Sequence, residues 1–223
     1  MRPNLSKQNC PPPFTGEVAR RAGGGSRPAL FGATFLTLLL TATAASAGWQ
    51  DQATPFDQHR LSLLGESKQK GLAEAQAGSG SGDASAIRAA LEPASHAPSP
   101  GEIAGAWRCR TIKLGGVSAY VVYSWFNCRI SNRGGGLFLE KTSGSTRTAG
   151  FLYPGDGGMV YLGASFVSGE PPHAYSGNGA SAGAAATPDD QIGILTSIDA
   201  HHARLEMPYP VQESTFDVLE LKR

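Results

Sequence analysis

The sequence predicts a mainly β protein: a small antiparallel closed barrel of about eight strands, with a short helical segment before it. Three observations predict it. From residue 103 onward the chain is a succession of short runs rich in β-branched and aromatic residues, with Gly- and Pro-containing turns between them. Eight such runs at hairpin spacing suit a sheet whose sequence neighbours pair and whose ends meet. Two cysteines, Cys109 and Cys128, fall on the first two runs, where a bond between them would staple neighbouring strands.

The N-terminus is read as a leader. Arg2, Lys7, Arg20, Arg21 and Arg27 form a long basic region, residues 29–40 are apolar, and Ala45, Ser46 and Ala47 give an A-x-A cleavage signal. Cleavage after Ala47 is expected, with Gly48 as the new first residue. The alternative is an uncleaved anchor in the inner membrane, for which the apolar run is short. Cys10 precedes the apolar run, so it is no lipoprotein cysteine. The whole chain carries a formal charge of +1; loss of those five basic residues and of Glu17 leaves −3. With no basic stripe, nucleic acid is not an expected partner. Processing also leaves an even pair of cysteines in an exported chain, the setting in which a structural disulfide forms. A periplasmic or secreted location follows, with no stable membrane span once the leader is removed.

Residues 48–94 read as a helical arm. Thr54, Pro55 and Asp57 are an N-cap, a first-turn proline and an early acid, opening a helix over 55–77. Phe56, Leu63 and Leu64 give it an apolar stripe, while Arg60, Lys68, Lys70 and Glu74 are expected to face water. Glycines and serines at 78–82 end it, and Asp83 is expected to cap a second helix over 84–91. Residues 95–102 form a Pro/Ser linker. The β domain then occupies 103–223, with strands over 104–113, 119–130, 137–142, 146–153, 159–167, 191–198, 204–207 and 215–221. In the first hairpin a glycine turn at Gly115 and Gly116 places Cys109 and Cys128 on or near one rung. Ala203, Leu205 and Met207 should face one side, Arg204 and Glu206 the other. Residues 177–188 are Gly/Ala/Ser-rich and read as an inserted loop.

Chemistry is sparsely marked. The chain lacks G-x-S-x-G, Walker A, dinucleotide and H-E-x-x-H patterns, and neither a metal nor a cofactor is expected. The adjacent pair His201 and His202 reads as a solvated turn. Glu170, His173 and Tyr175 share a Pro-rich loop and are open to acid–base work or ligand contact, with an ordinary loop as the plainer reading. Glu140, Lys141 and Arg147 flank the Gly144–Ser145 turn as either a charge pair or a clamp for an anionic ligand. Trp107, Tyr120, Trp125 and Phe126 are core residues or a ligand-facing cage. Arg108, Arg110 and Arg129 should form an exposed basic face. Candidate binding residues are therefore Trp107, Trp125, Arg147, Glu170, His173 and Tyr175; none is assigned a catalytic role.

Several strings resemble the bacterial family known only as domain of unknown function 4893. They include Trp107 to Arg110 with Ile112 to Gly115, residues 120–130, Glu140 to Gly144 with Arg147, Leu152 to Pro154, Val160 to Gly163, Gly169 with Glu170, and Met207 to Pro210 with Glu213 and Ser214. The resemblance covers nearly all of the chain after the leader and implies no activity. A weaker one, carried by Gly105, Ala106 and Trp107, is to lipocalins and to barrel-shaped bacterial metalloprotease inhibitors. The favoured reading is a non-enzymatic module that binds a small ligand in the barrel mouth or a periplasmic protein on its rim. The alternatives are a protease inhibitor acting through residues 48–54 and a hydrolase-like enzyme using Glu170, His173 and Tyr175. N-terminal sequencing of the protein recovered from its own cells is expected to begin at Gly48; a chain retaining residues 29–40 would mean an anchor.

Overall fold

The computed structural model describes residues 48–78, 83–177 and 187–223. The expected leader and residues 178–186 of the Gly/Ala loop lie outside them. The strands are β1 (Gly105–Leu114), β2 (Tyr120–Val122), β3 (Phe126–Arg133), β4 (Gly136–Lys141), β5 (Thr146–Gly155), β6 (Gly158–Val167), β7 (Asp190–Asp199), β8 (His202–Pro208) and β9 (Phe216–Lys222). Each pairs antiparallel with its sequence neighbour from β3 to β9, and β9 returns to β1, closing an eight-stave barrel. β2 and β3 together make one stave, since β2 pairs with the later half of β1 and β3 with the earlier half.

The sequence reading took residues 119–130 as one strand. The run instead breaks at Tyr123–Trp125, and the break adds one residue to the register: Ile112 faces Val122, but Cys109 faces Phe126. Trp107 is opposite Cys128, so the cysteines lie diagonally and share no rung. The diagonal still brings their Cα atoms to 5.8 Å, and the disulfide forms with S–S 2.01 Å.

Interior positions divide along the barrel axis. At one end Trp107, the disulfide, Leu139, Leu152, Leu195 and Leu205 pack into a solid apolar core. The Trp107 indole donates to the Ile103 carbonyl at 2.8 Å, and the Arg223 guanidinium lies 4.2 Å from its ring, closing that end. Arg223 also donates to the carbonyls of Ala104 (3.1 Å) and Ala200 (2.9 Å). Toward the other end, the mouth, inward positions turn polar. On β1 the buried positions change parity there: Trp107 and Cys109 point in, while Ile112 and Leu114 point out beneath helices.

The helices are α1 (Trp49–Gln52), α2 (Pro55–Ser62), α3 (Leu64–Ala77), α4 (Ala84–Leu91) and α5 (Pro100–Ile103). Thr54 caps α2 as its sequence suggests, its Oγ1 accepting the Asp57 amide at 3.1 Å. The single helix expected over 55–77 is interrupted at Leu63, which lets α2 follow β7 and β8 while α3 runs over β8, β9 and β1. The interruption turns Arg60, expected in water, into the protein at 4% exposure. Its guanidinium meets Asp57 Oδ1 at 2.7 Å and donates to the carbonyls of Asp190 (2.7 Å) and Tyr209 (3.2 Å). Glu74, also expected in water, accepts from Thr215 Oγ1 at 2.6 Å and the Gly116 amide at 2.9 Å.

Asp83 makes no side-chain cap bond to α4. That helix is fastened at its other end, where Arg204 donates to the carbonyls of Ala90, Leu91 and Pro93 at 2.9–3.2 Å. Ile87, Ala90 and Leu91 bury against Ile112, Leu114, Phe216 and Val218. Residues 95–102 are likewise held: His96 and Ser197 exchange backbone bonds of 2.8 and 2.9 Å, and Ser99 and Glu102 form a capping box on α5.

Gly163 is a narrow point in the interior. A Cβ there would lie 2.2 Å from the Tyr161 hydroxyl and 2.5 Å from the Ala149 carbonyl. Gly163→Ala should therefore lower stability by about 2 kcal/mol, and urea unfolding measures it. Loss of the disulfide in the Cys109→Ala/Cys128→Ala double variant should lower stability by about 3 kcal/mol through the freed loop, measured the same way.

Candidate functional site

The mouth holds a cavity of about 340 Å³, near the small end of the range for ligand pockets. Its wall follows from strand parity. Leu137 and Leu139 point into the barrel from β4, and the next inward position is Lys141. Leu152 points in from β5, and the same parity brings in Thr148 and Thr146. On β7 it leads from Leu195 to Gln191, and on β9 from Leu219 to Asp217. The apolar interior is thus replaced by ammonium, hydroxyl, amide and carboxyl groups on the same inward faces.

These groups are connected. Thr148 Oγ1 lies 2.6 Å from the Tyr161 hydroxyl and donates to the Gln191 side-chain oxygen. The link from β5 to Gln191 on β7 crosses β6 beside Gly163, which carries no side chain to obstruct it. Burial raises the Tyr161 phenol above its ordinary range, with the Thr148 bond opposing, so it stays protonated. The Gln191 amide nitrogen has no acceptor among the described residues.

Lys141 is 8% exposed. Its Nζ donates to the Thr146 carbonyl at 2.7 Å and lies 4.3 Å from the Phe126 ring centroid. No carboxylate among the described residues pairs with it, and burial lowers its pKa. Arg147 also lines the mouth; its Nε reaches only the Gly144 carbonyl, at 3.5 Å. The charge pair considered for Glu140, Lys141 and Arg147 does not form, because Glu140 turns to Arg133 at 2.9 Å.

Most acids of the mouth are already engaged. Glu213 pairs with Lys113 at 2.5 Å, and Asp189 with His173 at 3.2 Å. Asp190 accepts from the Ser176 amide and hydroxyl, both at 3.1 Å, while its other oxygen is buried without a partner. Burial raises the Asp190 carboxyl, opposed by those two bonds. Asp217 accepts from Ser214 Oγ at 2.6 Å, and burial pushes its carboxyl up to about 6. Val117, Tyr123, Val167 and Val211, the exposed large apolar side chains among the described residues, all lie on the segments around this end.

The residues singled out from sequence scatter. Arg147 is at the mouth. Trp107 is buried at the opposite end. Trp125 lies on the outer wall, with Arg110 at 4.7 Å and Lys222 at 5.7 Å from its ring. Arg110 is tied to buried Glu220 at 2.6 Å, so the expected basic face is partly neutralised. Glu170, His173 and Tyr175 do not converge. Glu170 accepts from the Val167 amide at 3.4 Å, His173 turns to Asp189, and Tyr175 donates to Asp57 Oδ2 at 2.5 Å. Residues 48–54 are held as well: Trp49 packs on the barrel beside Val160, and the Thr54 amide donates to the Tyr175 hydroxyl at 2.9 Å. No group of three or more potential metal ligands occurs among the described residues. Thr148, Tyr161, Gln191 and Asp217 were missed from sequence; the signal was polar residues continuing the inward parity of Leu152, Leu195 and Leu219.

The family model described as Domain of unknown function (DUF4893) matches residues 49–221. No curated protein and no solved structure matches the chain.

The folded protein holds the Asp217 proton more tightly than the unfolded chain does. The stability this contributes is complete in acid and is lost as pH rises through about 6. Asp217→Asn, which never ionises, should remove that loss, an effect of up to about 3 kcal/mol between pH 4 and pH 7. Urea unfolding of both proteins at the two pH values checks it.

Proposed function

We propose, for a chain that belongs to the DUF4893 family, that it is an exported, non-enzymatic binding protein that takes a small polar molecule into the mouth of its barrel. The single observation that carries this reading is the change in the interior along the axis. One end is packed with apolar side chains, and the other encloses about 340 Å³ lined by hydroxyl, amide and charged groups. A barrel serving only as a scaffold gains most by continuing its apolar packing, because each buried polar group left without a partner is costly. Export is supported by the leader pattern before Gly48 and by the one disulfide. No helix among the described residues is long and apolar enough to cross a membrane.

The sequence leaves Trp107, Tyr120, Trp125 and Phe126 as core or as a ligand-facing cage. No tryptophan lines the cavity: Trp107 is at the far end and Trp125 outside, and polar and charged side chains share the lining with apolar ones such as Phe166 and Leu219. Its rim adds Tyr123, Val167 and Val211, where the less polar part of a ligand would rest.

Native mass spectrometry of protein taken from its own cells tests the reading. A bound small molecule is expected, and Thr146→Trp, which fills the mouth from an exposed position, should reduce its occupancy at least tenfold. Trp125→Ala on the outer wall should leave it unchanged. Absence of a bound small molecule, or equal retention in Thr146→Trp, would overturn the proposal.

A further inference from the structure

The mouth offers donors that the protein does not use. Lys141 carries a buried ammonium with one carbonyl acceptor and no carboxylate partner among the described residues. Arg147 has one long bond from Nε and no carboxylate partner among the described residues. Gln191 has its oxygen occupied by Thr148, which turns the amide nitrogen into a free donor. The ladder makes Lys141 and Gln191 neighbours: Glu140 is opposite Ala149, so the next rung sets Lys141 beside Thr148, and Thr148 reaches Gln191 across β6, while Arg147, between Thr146 and Thr148 on the alternate face of β5, lines the rim. The other two cations of the wall are spent, Lys113 on Glu213 and Arg60 on Asp57. Asp189 is paired with His173 and Asp217 accepts from Ser214, while Asp190 accepts from Ser176 through one oxygen and keeps its other oxygen buried without a partner among the described residues.

We infer that the molecule bound in the mouth carries an oxyanion, a carboxylate or a phosphate, and that Lys141, Arg147 and the Gln191 amide hold it. The inference rests on the pocket reading above and names the chemical class of its ligand. A buried ammonium left without a counter-charge is costly, and an anion brought in by the ligand supplies what the chain withholds. An ammonium, a guanidinium and an amide N–H are all donors to the oxygens of such a group, whereas a cationic or purely donating ligand would meet like charge and unpaired donors. The cavity limits the occupant to a small molecule.

The test follows the Lys141 side-chain signals by NMR while succinate, inorganic phosphate or glycerol is added to the protein, in parallel with Lys141→Met and Arg147→Gln. Succinate or phosphate should shift the Lys141 signals and raise the pH at which that group titrates. The tighter of the two identifies carboxylate or phosphate as the source. Lys141→Met should weaken the anion at least tenfold and Arg147→Gln about threefold. Lys141→Met removes a desolvated charge, so its Tm should equal or exceed that of the parent, separating lost binding from lost folding. Anion binding unchanged in Lys141→Met, or mouth signals that respond to glycerol and to neither anion, would overturn the inference while leaving the pocket reading intact. Mouth signals that respond to none of the three probes, with no molecule bound in the native protein, would overturn both.

Discussion

Seven consecutive rungs join β1 to β9, from Arg108↔Lys222 to Leu114↔Phe216, and they turn an open sheet into a closed one. Closure removes the exposed strand edges that a sheet of this size would otherwise present. It also fixes which residues share the interior, because every strand except β2, which pairs only with β1, now has a partner on both sides, and a one-residue slip would reverse every face. β1 bears most of this constraint. It pairs with β9 along much of its length and with β2 and β3 in turn on its other side, and it carries half of the disulfide.

The closed barrel has an inside and an outside that are finished differently. At the Trp107 end the inside is apolar, and the outer wall carries ion pairs such as Arg110 with Glu220. At the mouth the arrangement inverts. The outer face, with Ile112, Leu114, Phe216 and Val218, is apolar and covered by α3 and α4, while the inner face is polar. The helices therefore supply the outer apolar packing that accompanies a polar cavity. Their attachments are polar and specific: Arg60 to Asp57 and the carbonyl of Asp190, Lys68 to Glu206, and Arg204 to the end of α4.

The fold was largely legible. The runs rich in β-branched residues, the turn glycines and the alternation of Ala203, Leu205 and Met207 with Arg204 and Glu206 each reported a local preference that the tertiary structure kept. The errors came where local preference was overruled. The 55–77 helix breaks at Leu63, where its path changes from β7 and β8 toward β9 and β1. Arg60 turns inward because Asp57 and two backbone carbonyls await it. The shared cysteine rung fails because the turn sets Ile112 opposite Val122, and the break at Tyr123–Trp125 adds only one residue to that register, leaving Cys109 opposite Phe126. The mouth was hardly legible, since Thr148, Gln191 and Asp217 are ordinary strand residues until closure faces them onto one space. Lys141 and Arg147, flanking their turn, were marked in advance, as part of a charge pair or a clamp for an anionic ligand.

By itself the sequence determined the strand succession, the helix start at Thr54 and Cys109 and Cys128 as partners, because each depends on residues near in sequence or, for the disulfide, on the two cysteines of the β domain. Tertiary structure alone decided which polar side chains share the cavity, which cations keep their charge unpaired, and that Glu170, His173 and Tyr175 go separate ways. These depend on strand register around a closed ring, and register sums small offsets from every turn and bulge that no local stretch of sequence contains.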